Sequence, residues 1–273
     1  MATPKINKWQ IALMALIGVV HIVPLYLLVS TAFKKESDLS SKWVLPGYFN
    51  LENFKNAWQY ANLDRAFINN IIITFFAVLL ILVVGSLASY PLSRFQTRLN
   101  KFVYILFISA LIVPPLTVLV PLYQFIVDLN GLNTYWGVIL LNVTFNLPMT
   151  IFLYTGFIGT IPKELDEAGM IDGTSRVGLF FKIILPLLQP VTVTAIILSG
   201  VSIWNDYQFS LFFLQTTSMH TLTVALSAFF SQFTSNLSWV AAGSLMSMLP
   251  LTLLYLFLQR FFIAGLSAGA VKS

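Results

Sequence analysis

From Ile11 to Phe33 the chain carries no Asp, Glu, Lys or Arg. At about 1.5 Å per residue such a run reaches about 35 Å, enough to cross a hydrocarbon core of about 30 Å with some tilt, and it predicts a first span over 11–33. A polar stretch, 34–65, follows. It contains Pro46-Gly47 and the aromatics Trp43, Tyr48, Phe49, Phe54 and Trp58, which predicts a folded external loop with interfacial anchors rather than a linker. The charge-free run Ala66 to Ser93 holds a second span, 67–92, and ends at Arg94, Arg98 and Lys101 with no acid among them. A third span, 102–127, is interrupted by Pro114-Pro115 and Pro121. Such prolines free backbone carbonyls, and serve as packing kinks or line a gated cavity.

A fourth span is expected at 135–158, a charged passage at 160–182 and a fifth span at 183–205. No Asp, Glu, Lys or Arg lies between Asp206 and Arg260, yet Gln215-Thr-Thr-Ser-Met-His220 breaks the apolarity. The piece from Leu222 to Phe233 is below spanning length and fits an interfacial or re-entrant segment. The sixth span is 238–258. The fold class is therefore an all-α integral membrane protein, one transmembrane domain over 1–273 with six helices.

Composition agrees with the pattern. Of 273 residues 58% are hydrophobic and only 9% charged, against about a quarter charged in a soluble domain. The net charge of +5 carries no nucleic-acid signal, because the basic residues sit at the ends of apolar runs instead of forming a stripe with aromatics. No cysteine is present, which removes disulfides and thiolate metal sites. The 24 phenylalanines fit core and lipid contact. The first apolar run is too long for a signal peptide's hydrophobic region and shows no small-residue cleavage site, so it reads as a retained span.

Orientation follows from the basic residues. With the N-terminus inside, Lys5, Lys8, Arg94, Arg98, Lys101, Lys163, Arg176, Lys182, Arg260 and Lys272 are cytoplasmic, and Lys34, Lys35, Lys42, Lys55 and Arg65 are external. Ten against five places both termini in the cytoplasm, and a seventh span would move Arg260 and Lys272 outside.

The passage 160–182 is then a cytoplasmic loop. Glu164, Asp166, Glu167 and Asp172 fall within nine residues of a chain that has ten carboxylates in all. Pro162 suits the first turn of a short helix, the carboxylates suit its positive end, and Gly173 suits a left-handed C-terminal cap. Thr174 or Ser175 can cap a second helix through Arg176 to Leu185, until Pro186 bends or ends it. On the first helix Glu164, Ala168 and Ile171 share a face, and Ala168-Gly169 offers a small-residue spot for close approach of another protein.

Glu167-Ala168-Gly169-Met170-Ile171-Asp172-Gly173, thirteen residues before Pro186, resembles the EAA loop in the membrane-spanning subunits of bacterial ABC importers. Gly169 stands where that family usually has a second alanine, a departure that keeps tight packing. Asn50-Leu-Glu-Asn-Phe, Phe67-Ile-Asn-Asn70, Trp204-Asn205-Asp206-Tyr207 and the tail Gln259 to Lys272 extend the resemblance over nearly the whole chain, to the MalG-like carbohydrate-uptake permeases with the type I importer fold. The resemblance implies a multi-pass protein of the bacterial inner membrane that forms half of a transmembrane pair, usually a heterodimer with a homologous permease. Two ATPase subunits and an extracytoplasmic solute-binding protein complete the importer. The coupling helix would sit in a cleft of the ATPase, with Glu167 facing a basic residue there. ATP and Mg would be bound by the ATPase, and no cofactor or metal by this chain. The cargo would be a carbohydrate, an oligosaccharide by default, with a polyol, a glycerol-phosphate ester, an amino acid or a peptide as alternatives.

Other polar residues have two readings each. Trp204, Asn205, Asp206 and Tyr207 fit an interfacial belt or an external gate on the sugar path; Asp206 stands out because charge is scarce around it. Tyr123, Gln124 and Asn146 fit interhelical hydrogen bonding or a polar cavity. His21, mid-span, fits hydrogen-bonded packing. An ion-coupled secondary transporter would need intramembrane carboxylates and usually an internal repeat, neither of which is evident. A membrane-embedded enzyme lacks a motif to support it. No Gly-x-x-x-x-Gly-Lys-Ser/Thr loop occurs, so the chain is not the ATP-hydrolysing part.

Overall fold

The computed structural model describes residues 7–231 and 236–270, and of residues 230, 231 and 260–270 the backbone only. Lys5, Phe233 and Lys272 lie outside the described residues. So do the side chains of Arg260 and of the tail beyond Gln259. In chain order the helices are α1 (Lys8–Phe33), α2 (Glu52–Tyr60), α3 (Leu63–Arg94), α4 (Arg98–Ala110), α5 (Leu119–Asp128), α6 (Tyr135–Thr160), α7 (Glu164–Ile171), α8 (Arg176–Leu179), α9 (Leu185–Leu187), α10 (Gln189–Trp204), α11 (Gln208–Phe213), α12 (Leu222–Ser231) and α13 (Leu237–Ala270). Among the described residues there is no strand.

Four helices are long and apolar enough to cross a membrane unaided: α1, α3, α6 and α13 as far as Gln259. Two further stretches reach that length only as bent pairs. The pair Arg98–Ala110 and Pro115–Asp128 meets at 96°, and the pair Arg176–Leu187 and Gln189–Trp204 at 72°, so that up to six crossings result. The first bend has a plain cause. Pro114 and Pro115 have no N–H to give to the turn before them, so α4 stops at Ala110 and the chain restarts as a 3₁₀ turn over Pro115–Val118.

The second bend departs from the expected helix through Arg176 to Leu185 ended by Pro186. The α-helical turn α8 gives way to a π turn over Phe180–Ile184, Pro186 lies in the first turn of α9, and the bend comes at Leu188, just before Pro190. A proline in a first turn lacks only a donor that had no partner anyway, so Pro186 is absorbed and the break moves on.

The chain folds into two compact units. One holds the described residues of Met1–Asp64 and Ala225–Leu249. Its loop between α1 and α2 is folded by its own polar groups. Lys34 is buried, and its ammonium donates to the carbonyls of Ser40 (3.0 Å) and Ser41 (2.7 Å) and to Ser40 Oγ (2.6 Å). The Asn53 amide, also buried, donates to the carbonyls of Ala32 (2.8 Å) and Lys34 (2.6 Å), which tethers α2 to the end of α1. Tyr48 Oη donates to Asp38 (2.6 Å). Hydrogen bonding from Ser40 above all, and then from Tyr48, holds the Asp38 carboxyl down from 3.8 to about 2. His21 in α1 bonds its own helix, with Nδ1 2.8 Å from the Ile17 carbonyl.

The other unit, Arg65–Val224 and the described residues of Pro250–Ser273, contains the charged loop and the second, third, fourth and fifth apolar stretches. Helices α3, α6 and α10 approach closely. A Cβ on Gly85 of α3 would lie 2.9 Å from Thr150 Cγ2 of α6. Small hydroxyls bond between helices: Ser89 to the Ile151 carbonyl (3.3 Å), Ser93 to the Thr155 carbonyl (3.1 Å) and Tyr154 with Thr192 (2.9 Å). This is the usual way for helices to adhere where lipid removes the hydrophobic drive between them.

Asn53→Ala leaves two buried carbonyls without their donor and should cost about 1–3 kcal/mol, read as earlier thermal unfolding of the detergent-solubilised protein and faster proteolysis of the 34–62 segment. Acid tests the Asp38 contacts. A carboxyl held low in the folded loop stabilises it above its ordinary value and loses that contribution as pH falls through the folded value, so cleavage of the loop by pepsin should rise between pH 3.8 and about 2. Asp38→Asn should remove this pH dependence.

Candidate functional site

The charged passage forms a short helix on a fixed base. After Thr160 the backbone becomes extended at Ile161 (φ −76°, ψ 127°), and α7 begins at Glu164 with Glu164, Asp166 and Glu167 in its first turn. There the helix dipole favours carboxylates. Gly173 ends the helix at φ +79°, and two backbone bonds close the cap: Gly173 N–H to the Met170 carbonyl (3.1 Å) and Thr174 N–H to the Gly169 carbonyl (3.0 Å). Only glycine adopts this left-handed corner at no cost. Ser175, not Thr174, caps α8, its Oγ accepting from Gly178 N–H (3.1 Å).

The two faces of α7 do different things. Glu164, Glu167, Ala168, Ile171 and Asp172 are exposed, Ile171 at 86%. Asp166 and Gly169, one turn apart, face inward. Arg94 at the end of α3 meets Asp166 through Nε (2.7 Å to Oδ2) and Nη2 (3.4 Å to Oδ1), and donates from Nη1 to the Ile161 carbonyl (2.9 Å). The two side chains are 5% and 12% exposed. A Cβ on Gly169 would lie 2.8 Å from Ile183 Cδ1 and 3.2 Å from Leu179 Cδ1. The expected Ala168-Gly169 docking spot is therefore divided. Successive helical residues point about 100° apart, so Ala168 faces out while Gly169 packs on the chain itself. Pro186 is exposed in α9, beyond the π turn.

A second feature opens at the Pro114-Pro115 break. A cavity of about 280 Å³ is lined there by Asn142 and Asn146 of α6, Ser202 of α10, Asp206, and Gln208 and Phe209 of α11, with the break itself forming one wall. Irregular backbone is tolerated at membrane depth where it borders such a cavity. Asn146 donates to the Asn142 carbonyl (2.9 Å). Asp206 is already engaged: its carboxylate accepts from the N–H groups of Phe209 (3.1 Å) and Ser210 (2.9 Å) and from Ser210 Oγ (2.8 Å), capping α11. Gln208 is the reverse case, since its Nε2 is buried without a hydrogen-bond partner.

The remaining candidates scatter. Trp204 is buried and borders a different, apolar groove of about 430 Å³ beside α3. Asn205 bonds its own helix at the Val201 carbonyl (2.8 Å), and Tyr207 is exposed. Tyr123 Oη accepts from Gln215 (3.1 Å), pinning the segment after α11, and Gln124 is exposed. Of the seven proposed pathway residues, the cavity brings together only Asn146 and Asp206.

Sequence reasoning missed the site roles of Arg94, Asn142 and Gln208. Arg94 reads as one more topology charge at a span end, and no local pattern signals that a residue 72 positions later answers it. Asn142 four residues before Asn146 is a readable signal: two amides on one helical face within an apolar run.

Residues 77–267 match the family described as binding-protein-dependent transport system inner membrane component. The chain is 51% identical, over 95% of each sequence, to the melibiose/raffinose/stachyose import permease protein MelC of Bacillus subtilis strain 168. It is 33% identical to the probable starch degradation products transport system permease protein AmyC of Thermoanaerobacterium thermosulfurigenes, over 98% of each. A crystal structure of a bacterial ABC transporter involved in the import of the acidic polysaccharide alginate shares the fold, with a TM-score of 0.79 over 96% of this chain and 99% of that one, at 19% identity. The chain belongs to the inner-membrane components of binding-protein-dependent transport systems, and is a permease subunit of an ABC importer.

Proposed function

We propose that this permease imports an oligosaccharide, with melibiose, raffinose and stachyose the first solutes to test, and that α7 receives the stroke of a partner ATPase. The observation behind the second statement is the division of α7 into two faces. Asp166 and Gly169 fix the helix to its own subunit, while Glu164, Glu167 and Ala168 are presented outward. A helix anchored on one side transmits displacement; a solvated loop would absorb it. Glu167 stands ready to meet a basic residue in the ATPase cleft, and Asp172 and Gly173 set the corner that turns the chain back so that Leu179 and Ile183 pack on Gly169.

The loop faces the cytoplasm in this reading, with both termini on the same side. ATP and Mg are bound by the two ATPase subunits, and a homologous permease supplies the other half of the pathway. The chain itself makes and breaks no covalent bond. An external binding protein delivers the sugar. The cavity beside Pro114-Pro115 suits sugar hydroxyls, because it combines amides, a serine and the ring of Phe209. Its unmet demand is the Gln208 donor. A buried donor with no partner costs about 1–3 kcal/mol, and a hydroxyl passing through the cavity would meet it.

Because the chain has no cysteine, Ala168→Cys gives it one thiol on the outward face of α7. In the assembled importer this thiol should crosslink to a cysteine in the ATPase cleft with a yield that changes on adding ATP. An importer that takes up sugar yet gives no crosslink would mean that α7 docks elsewhere. The inward face should respond in the opposite way. Gly169→Ala needs a shift of only the flexible end of Ile183 and should change stability by about 1 kcal/mol or less, whereas Gly169→Leu should displace α7 and cut uptake at least about tenfold.

A further inference from the structure

The connection from α6 to α7 is a hinge by its own geometry. Ile161 is extended and Pro162 follows it, so no helical hydrogen bond carries across from Thr160 to Glu164. Arg94 spans this hinge from its buried side. Its Nη1 donates to the Ile161 carbonyl on one side at 2.9 Å, and on the other it pairs with Asp166, Nε lying 2.7 Å from Oδ2 and Nη2 donating to Oδ1 at 3.4 Å. Neighbouring groups reinforce the joint. The Arg176 guanidinium lies 5.4 Å over the Phe95 ring, Tyr90 packs against Phe95 and Phe180, and the Asn100 amide donates to the Phe95 carbonyl (2.7 Å) just after α3 ends.

The far end of α3 is gripped just as firmly. Asn70 donates to the Trp204 carbonyl (3.1 Å) and accepts from Leu222 N–H (3.4 Å), so a single side chain holds both ends of the segment that runs from α10 to α12. Asn69 donates to the carbonyls of Ser218 (3.0 Å) and His220 (2.9 Å) and accepts from Tyr135 Oη (2.7 Å). From Asn70 to Arg94 the helix extends about 36 Å. Its one proline, Pro91, falls in the last turn.

We propose that Arg94 locks the α6–α7 hinge, so that α3 moves as one body with the docking helix and carries its displacement to the 204–222 segment held by Asn69 and Asn70. This rests on the reading of α7 as the ATPase-docking helix. Arg94 is then a positioning residue: it touches neither ATP nor sugar, and acts through α7. Spatial continuity alone does not establish coupling. The physical content is that one side chain bonds to both sides of a joint that no helical hydrogen bond crosses.

Two measurements test it in the complete importer. Spin labels at Gln96→Cys and Met170→Cys, both exposed and on opposite sides of the joint, report whether it stays closed. Their separation should differ by less than about 2 Å between the nucleotide-free and vanadate-trapped states, and a larger change would overturn the proposal. Arg94→Gln should broaden that distance distribution and lower ATP-driven uptake of radiolabelled raffinose at least about tenfold. ATP hydrolysis and the crosslink at Ala168→Cys should persist in the Arg94→Gln background, which a general loss of assembly would not allow. Uptake by Arg94→Gln within about twofold of the parent would sink the idea. Should that variant fail to assemble, the label pair in the native background still decides. A missing crosslink in the parent protein would instead count against α7 as the docking helix, and leaves the label result to be judged separately.

Discussion

Hydrocarbon offers no hydrogen bond, so every backbone N–H and C=O at membrane depth must find its partner within the protein. Much of this structure is a consequence. Four helices of spanning length satisfy the rule unbroken, and the two bent pairs break beside prolines, at places where the backbone is covered. At Pro114-Pro115 the cover is a polar cavity. At Leu188 it is a buried cluster that includes Tyr154, Ile158, Leu179 and Ile184. The π turn over Phe180–Ile184 belongs to the same economy, letting the chain change direction without giving up its ladder of bonds.

Where charge and amides are scarce, each one acts over a long range in sequence. Arg94 answers Ile161 and Asp166, Asn69 answers Ser218 and His220, and Asn70 answers Trp204 and Leu222. These bonds are made in a setting poor in competing water, so they define relative positions that apolar packing alone would leave free to slide. The same scarcity explains why Asp206 is no free acid. Three donors converge on its carboxylate, and the polar demand of the cavity shifts to Gln208.

Much of the fold is legible in the sequence, because a charge-free run of spanning length has few other meanings. The corner at Gly173 is also legible, since a carboxylate-rich turn followed by glycine has a mechanical reading. What the sequence conceals is direction. Ala168 and Gly169 are neighbours of similar size, yet one faces out and the other packs so closely that an added Cβ would come within 2.8 Å of Ile183. The string Trp204-Asn205-Asp206-Tyr207 looks like one site. A helix end turns its members toward an apolar groove, their own backbone, a polar cavity and the exterior. Long-range pairs such as Arg94 with Asp166 lie beyond any local pattern.

Transport driven by ATP through this subunit is open to direct measurement. Radiolabelled raffinose is offered to proteoliposomes that hold this chain with its partner permease and ATPase, with the binding protein supplied outside. Accumulation that requires internal ATP and the binding protein, and that vanishes when this chain is left out, is the predicted result. Accumulation that persists without ATP, sustained by an ion gradient instead, would contradict it.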